Sequence, residues 1–260
     1  MKKLRFATLT AAVALFAGMA SAEDIKVGVS VGEHAEIMEQ VLPIAKAKGL
    51  NIELIEFTDY VMPNQALADG DLNANIFQHK PYLDQQIADR GYEIAPIALT
   101  FTTPMGVYSD KVKSLDALAE GAKIAIPNDP TNGGRALLLL ADKGLIKLKD
   151  GTGLTPTPLD ITENAKNFEF LELDAAQLPR SLADADIAVI NTNYALEADL
   201  DPNTDAIAIE NAEGPYANII VIRKSDEGAE WAKQLVEAYH DPAIKKFIED
   251  KYKGAVIPAF

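Results

Sequence analysis

An arginine near the middle of the chain could bind an anion. Arg135 directly follows Gly133 and Gly134, at the start of a helix predicted over 135–143. Free N–H groups and the positive end of the helix dipole favour anions at such a position. A planar guanidinium can also bind a carboxylate through two parallel hydrogen bonds. The spacing of a P-loop, GxxxxGK[ST], is missing, so the sequence predicts carboxylate recognition rather than nucleotide binding.

Aromatic residues gather around residues 66–82 and could form the wall of a pocket. They are Phe57, Tyr60, Phe77, His79 and Tyr82. Ordinary core packing is the simpler interpretation, and we adopt it for Phe57. Tyr60 and Tyr82 carry hydroxyl groups and stand beside turns or prolines, which suits a pocket wall better than a dry core. An aromatic slot with an imidazole donor would fit a thioether or another apolar side chain. From these residues alone, pocket and core remain equally good interpretations.

The same stretch predicts the architecture that positions these side chains. It reads as the end of a helix, a turn at Gly70-Asp71, a strand over 72–77 and a polar exit into the next helix. Its phrase Leu-Ala-Asp-Gly-Asp-Leu returns within 181–191 as Leu-Ala-Asp-Ala-Asp-Ile. Two copies of one unit predict two similar lobes. Since open α/β sheets bind ligands at the carboxyl ends of their strands, we expect a ligand between the lobes.

Over the whole chain, short β-branched strands alternate with helices, which favours an α/β fold with mainly parallel sheets. Extended segments at 102–108 and 205–210 are interpreted as two crossings between the lobes, and the apolar strand 217–223 as a buried strand that rejoins lobe 1. The predicted division is a signal peptide over 1–22, lobe 1 over 23–107, lobe 2 over 108–204, and the return crossing with the rest of lobe 1 over 205–260.

The first residues predict export from the cytosol. A basic start with Lys2, Lys3 and Arg5, an apolar run over 7–19 and Ala-Ser-Ala at 20–22 specify a signal peptide cleaved after Ala22. The chain has no cysteine, so we expect no lipobox and no thioether-linked lipid. The sequence therefore predicts a protein that is free in the periplasm.

The charge of the chain limits its partners. The formal net charge is −15 at pH 7. Strong acidity argues against nucleic acid and anionic membrane surfaces as partners. We expect a monomer whose partners are small molecules and proteins.

A serine hydrolase is the rival hypothesis from a different functional class. Residues 28–32 match the nucleophile elbow GxSxG around Ser30, between a strand and a helix. His79 or His240 could follow as the base. However, this is the first strand of the mature chain, so no earlier strand loop is present to complete an oxyanion hole.

A metal centre has little support in the sequence. The chain has three histidines, His34, His79 and His240, without a paired spacing such as HExxH. A zinc site needs about four ligands in fixed geometry. We therefore expect no metal and no cofactor.

Four motifs together resemble the NlpA/MetQ family of methionine-binding proteins from bacterial ABC importers. They are the runs Phe-Gln-His-Lys-Pro-Tyr at 77–82, Asn-Asp-Pro-Thr-Asn-Gly-Gly-Arg-Ala-Leu at 128–137, Gln-Leu-Pro-Arg at 177–180 and Ala-Val-Ile-Asn at 188–191. The resemblance extends over 23–260. It implies a two-lobed, type II-like periplasmic-binding-protein fold with the ligand in the cleft. It also implies a non-enzymatic receptor that delivers L-methionine to a membrane permease.

The resemblance also implies roles for individual residues. The family's thioether pocket corresponds to Tyr60, Phe77, His79 and Tyr82, its carboxylate clamp to Arg135, and its head-group asparagines to Asn191 and Asn218. Members differ in ligand, so D-methionine, a methionine-containing dipeptide or another apolar amino acid remains the alternative. Many members are lipoproteins with a cysteine at the cleavage site, and this chain has none.

Overall fold

The structure is a computed structural model and describes residues 23–260. The predicted signal peptide, 1–22, and its cleavage after Ala22 lie outside the described residues. Within the described part, no helix is both long and apolar enough to cross a membrane.

Helices and short strands alternate along the described chain. The helices are α1 Glu33–Ala47, α2 Met62–Asp69, α3 Lys80–Arg90, α4 Pro130–Asp142, α5 Leu178–Ser181, α6 Thr192–Glu197, α7 Glu230–Tyr239 and α8 Pro242–Tyr252. The strands are β1 Glu23–Ser30, β2 Leu50–Phe57, β3 Ala74–His79, β4 Ile94–Leu99, β5 Phe101–Thr102, β6 Gly106–Tyr108, β7 Lys123–Pro127, β8 Lys147–Leu148, β9 Ile161–Glu163, β10 Glu169–Leu173, β11 Ile187–Ile190, β12 Ala208–Ile209, β13 Asn218–Arg223 and β14 Ile257–Pro258.

The first lobe is built on a five-stranded sheet in the order β2-β1-β3-β13-β4. β1 is parallel to β2 and β3, whereas β13 is antiparallel to β3 and β4. Apolar side chains of α1, α7 and α8 cover one face, and α2 and α3 cover the other. A strand buried on both faces must be apolar throughout, which explains the run Ile-Ile-Val-Ile in β13. Strand β13 thus lies between β3 and β4 in the first sheet.

The second lobe repeats this plan. Its sheet has the order β10-β7-β11-β6-β12. The strands β10, β7 and β11 are parallel to one another, and β6 is antiparallel to both of its neighbours, β11 and β12. Helix α4 packs on one face, and α5 with α6 on the other. β3 and β11, which end the two copies of the repeated phrase, both occupy the central position of their sheets. The carboxyl ends of both strands lead into the cleft between the lobes.

Two segments differ from their sequence-based interpretation. From its sequence, 94–101 is interpreted as one continuous strand, but the structure interrupts it: β4 ends at Leu99, and β5 pairs instead with β14 at the chain's end. The predicted return crossing 205–210 contains β12, which pairs with β6 in the second sheet. The strands of the second sheet thus lie within 106–209. The exact division into lobes, with lobe 2 over 108–204, remains a prediction.

Candidate ligand-binding site

All seven side chains proposed from the sequence line one cavity between the lobes. They are Tyr60, Phe77, His79, Tyr82, Arg135, Asn191 and Asn218. His34, Gln78, Thr103, Asn132 and Asn193 complete its lining. Whether these side chains contact a ligand remains a prediction, and the geometry below says what each could do.

The lobe 1 end of the cavity is an aromatic wall. The ring centroids of Tyr60, Phe77 and Tyr82 lie 5.9 to 6.1 Å from one another. The hydroxyl of Tyr82 donates to the Tyr60 backbone carbonyl oxygen at 2.9 Å, which fixes the Tyr82 ring. Phe57, assigned to plain packing, indeed joins the apolar cluster behind the sheet. Such edge-on aromatic surfaces pack well against apolar groups and against sulfur.

His79 ends β3 and caps α3, so its ring is held by backbone geometry. Its Nδ1 accepts from the Tyr82 backbone N–H at 3.1 Å, and its Nε2 lies 3.2 Å from Oδ1 of Asn132. Since Nδ1 accepts, the proton belongs on Nε2, which donates to Asn132. Burial, and then the positive charge of Arg135, lower the pKa of His79 to about 3. The imidazole is therefore a neutral link between lobe 1 and lobe 2.

Arg135 lies in the first turns of α4, whose N-cap Asp129 accepts from the backbone N–H groups of Thr131 and Asn132. The sequence predicted that its guanidinium binds a ligand carboxylate through two bonds, but in the structure Glu210 takes that position. Nε of Arg135 donates to both carboxylate oxygens of Glu210, at 2.9 and 3.1 Å, and Nη2 donates to one of them at 2.5 Å.

Further contacts leave one edge of the guanidinium available. Nη2 also donates to the Thr103 carbonyl oxygen at 2.8 Å, and the ring of Tyr216 lies 4.2 Å from the guanidinium carbon. Among the described residues, Nη1 of Arg135 has no hydrogen-bond partner. A ligand carboxylate can therefore meet one edge of a guanidinium that Glu210 and Thr103 already hold in place.

Asparagines supply most of the remaining polar lining. Nδ2 of Asn191 donates to Oδ1 of Asn132 at 2.9 Å, while its own Oδ1 has no partner among residues 23–260. Asn218 lies opposite His79 in the register of β3 and β13. The free oxygen of Asn191 suits an ammonium group, because carbonyl oxygens accept and ammonium groups donate.

The two lobes also touch at Asn193, close to the cavity. The Tyr60 hydroxyl of lobe 1 donates to Oδ1 of Asn193 at 2.5 Å. The Tyr194 hydroxyl donates to the Thr58 carbonyl oxygen at 3.1 Å. Gly32 has φ +87, and a Cβ placed there would lie 2.9 Å from the Asn193 carbonyl oxygen. This glycine allows the backbones of the two lobes to approach closely, so the structure corresponds to a closed arrangement.

Several lining or supporting residues escaped the sequence-based reasoning, and four of them show why. Asn132 was quoted only as part of a motif, and His34 only as an unligated histidine. Asn193 lies two positions after the predicted Asn191. Glu210 was interpreted as part of an extended crossing, and a lone acidic residue there carries no local signal. Only the three-dimensional path of the return segment brings it to Arg135.

The Ser30 hydroxyl lacks, among the described residues, the hydrogen bond to a base that a serine hydrolase uses to activate its nucleophile. Ser30 is fully buried at the end of β1, and its Oγ has no hydrogen-bond partner within the described part of the chain. His240, one of the two possible bases, has its Nε2 2.8 Å from the Leu99 carbonyl oxygen and stacks on Phe260. No group of His, Cys, Asp and Glu side chains in residues 23–260 has the geometry of a metal site.

The sequence model of the NlpA lipoprotein family matches residues 25–260. The chain belongs to this family. It is 49% identical over 265 residues to a protein of Salmonella typhimurium named D-methionine-binding lipoprotein MetQ, which covers 97% of this chain and 98% of the relative. The family membership and the resemblance predicted from the four motifs are thereby confirmed.

Solved structures of other family members share the fold. A nutrient-binding protein of Burkholderia cenocepacia, solved with methionine bound, is 54% identical and superposes with a TM-score of 0.89, over 91% of this chain and 100% of that chain. An ABC transporter periplasmic substrate-binding protein of Coxiella burnetii is 47% identical, with a TM-score of 0.87, over 90% and 100% of the two chains. The predicted two-lobed binding-protein fold is confirmed.

The comparison corrects one prediction. We expected a protein free in the periplasm, because the chain contains no cysteine that could carry a lipid. The family is described as lipoproteins, and relatives are named lipoproteins, including outer membrane lipoprotein 3 of Mannheimia haemolytica. This finding contradicts the unanchored localisation, which rested on one residue type in one chain. The lack of cysteine stands as a fact of the sequence, and the localisation is not retained.

Proposed function

We propose that this family member is a solute-binding protein that captures methionine in the cleft between its lobes. The observation that carries the proposal is the composition of one cavity. It combines an aromatic wall at Tyr60, Phe77 and Tyr82 with a buried arginine and asparagines at the other end. An apolar wall suits a thioether side chain, and the polar end suits an amino-acid head group. A relative that shares 54% identity was solved with methionine bound.

The head group is held by complementary partial charges. The ligand carboxylate meets the free edge of Arg135, because a charge-assisted bond to a guanidinium is stronger than one to a neutral amide. The ammonium group meets Oδ1 of Asn191 and the side chain of Asn218. Arg135 and Glu210 together are neutral, so the site suits a zwitterion with no net charge.

Closure of the lobes completes the site. Aromatic residues come from lobe 1, whereas Arg135 and Asn191 come from lobe 2. A ligand that touches both lobes binds the closed form better than the open one, and it therefore shifts the population towards closure. The contact of Tyr60 with Asn193 then forms beside the bound ligand.

The partner of the loaded protein is the membrane permease of an ABC importer. Support comes from the Coxiella burnetii relative, which is described as the substrate-binding protein of an ABC transporter. We assign no enzymatic activity. A relative is described as a periplasmic substrate-binding protein, and Ser30 lacks the activating histidine that nucleophilic catalysis requires.

Isothermal titration calorimetry tests the proposal. L-methionine should bind with one site per chain, more tightly than leucine or alanine. D-methionine and a methionine-containing dipeptide belong in the same series, because curated relatives are named D-methionine-binding. Absence of heat with every methionine derivative would refute the proposal. Tighter binding of D-methionine or of the dipeptide would identify a different preferred ligand and would still support a receptor function.

A Ser30→Ala variant separates the receptor from the rival hydrolase. Ser30 is fully buried and does not line the cavity, so the variant should bind methionine as the wild type does. Hydrolysis of esters or amides by the wild type and its loss in this variant would favour the enzyme instead.

A further inference from the structure

A buried histidine lines the cavity without any partner of its own. His34 begins α1 in lobe 1 and is 3% exposed. Neither of its ring nitrogens has a hydrogen-bond partner among the described residues. A buried polar group without a partner costs stability, so such a group in a cavity indicates an interaction that a ligand would complete.

The surroundings of the ring favour one tautomer of the imidazole. Nδ1 lies 3.5 Å from Oε1 of Glu33, a neighbour that is fully buried. The ring of Phe101 packs beside the imidazole, with centroids 4.8 Å apart. When Nδ1–H donates to Glu33 after a small rotation, Nε2 is left with a lone pair as a hydrogen-bond acceptor.

Two electrostatic effects keep this ring neutral. Burial lowers the pKa of His34 to about 4, and the Asn218 side chain, which is close enough to interact with the ring although it does not meet hydrogen-bond geometry, opposes this shift only in part. Burial also raises the pKa of Glu33 to about 8. At neutral pH the imidazole is therefore uncharged and can accept a hydrogen bond, whereas an imidazolium would repel an ammonium group.

The ammonium group of an amino acid has three N–H donors, and each needs an acceptor when water is excluded. No carboxylate lines the cavity among the described residues. Neutral acceptors must take its place. Asn191 offers an Oδ1 without a partner among residues 23–260, and Nε2 of His34 is a second such acceptor in the lining.

We propose that His34 is a further ligand-binding residue, whose Nε2 accepts a hydrogen bond from the ammonium group of the bound amino acid. The inference rests on the proposed function, because it assumes an amino acid in the cleft. It makes His34 a residue that selects ligands with a free, charged amino group. Ligands that lack this group gain nothing from the imidazole.

A cycle of two proteins and two ligands tests this role. The wild type and His34→Leu are each titrated with L-methionine and with 4-(methylthio)butanoate, which is methionine without its amino group. The preference of the wild type for methionine should fall about 10- to 100-fold in His34→Leu, the range for a hydrogen bond to a charged group. His34→Gln, which keeps an acceptor, should recover part of the preference.

His240→Leu is the matched control. This histidine contacts the Leu99 carbonyl oxygen and Phe260 away from the cavity, so its loss should leave the preference unchanged. An equal preference in the wild type and in His34→Leu would refute the role of His34 alone. Failure of the wild type to bind methionine at all would refute the proposed function and this inference with it.

A second measurement leaves His34 unchanged, so it tests the proposal even if the His34 variants do not fold. The chain has three histidines, so the ¹⁵N NMR signals of the imidazoles can be assigned with two single variants, one that replaces His240 and one that replaces His79. With methionine bound, Nε2 of His34 should be unprotonated and Nδ1 protonated, and 4-(methylthio)butanoate should not produce this shift. A protonated Nε2 in the methionine complex would refute the inference.

Discussion

The buried pair of Arg135 and Glu210 supports both the binding site and the folded state. The side chains are 3% and 14% exposed, respectively. Replacing Arg135 by alanine leaves the carboxylate of Glu210 buried without its partner, which costs about 3–5 kcal/mol for a buried pair. The Thr103 carbonyl oxygen also loses its donor, at a cost of about 1 kcal/mol. We therefore expect Arg135→Ala to reduce the free energy of unfolding by about 4 kcal/mol.

Thermal unfolding with a double-mutant cycle measures this effect. For a chain of this length, about 4 kcal/mol corresponds to a fall in the melting temperature of roughly 8–16 °C. The double variant Arg135→Met, Glu210→Gln should lose less than the sum of its single variants, with a coupling of about 2 kcal/mol. Removal of the exposed pair Lys246–Asp250 is the control, and it should change the melting temperature little.

The same variant tests the carboxylate clamp. Arg135→Ala should weaken methionine binding by about 2–3 kcal/mol, because the ligand carboxylate loses a charged donor. Calorimetry is performed below the melting temperature of the variant. In the unfolding cycle, additive effects of the two single variants would show that the pair is not coupled. In calorimetry, an unchanged affinity of Arg135→Ala for methionine would show that Arg135 does not bind the ligand.

The remaining predictions concern the aromatic wall, the lobe contact and the pH dependence. Phe77→Ala should weaken binding of methionine by about 1 kcal/mol more than binding of alanine, through lost contact with sulfur; equal losses in calorimetry would make Phe77 structural. Gly32→Ala should reduce the ligand-induced rise in melting temperature, because its Cβ would meet the Asn193 carbonyl oxygen at 2.9 Å in the closed form; a full rise would exclude this contact. Burial raises the pKa of Glu33 to about 8, so the folded form retains a proton that the unfolded chain releases above about 4.5. Wild-type stability should therefore fall as pH rises from 5 to 8 relative to Glu33→Gln, and parallel unfolding curves of the two proteins would contradict the buried acid.

The sequence predicted the lobes because their signals are local. The repeated Leu-Ala-Asp phrase precedes β3 and β11, and both strands end in the cleft, as expected for α/β sheets. The continuous apolar run of the late strand β13 predicted its buried position. These features depend on neighbouring residues and on general rules of sheet topology.

What the sequence could not predict depends on contacts between distant segments. Glu210 and Arg135 are 75 positions apart, and neither the charge nor the spacing of Glu210 indicates that they pair. The contact of Gly32 with Asn193 follows from the way one lobe closes on the other. The interruption of the strand 94–101 depends on pairing of β5 with the end of the chain. No window of neighbouring residues contains such information.

A crystal structure with selenomethionine as ligand tests the central claim most directly. Protein prepared with ordinary methionine is crystallised with free L-selenomethionine, so that anomalous scattering from selenium comes from the ligand. We expect one strong peak in the interlobe cavity, beside the rings of Tyr60, Phe77 and Tyr82, with the ligand carboxylate at the free edge of Arg135. An empty cavity at saturating ligand, or a peak elsewhere on the protein, would contradict methionine capture in this cleft.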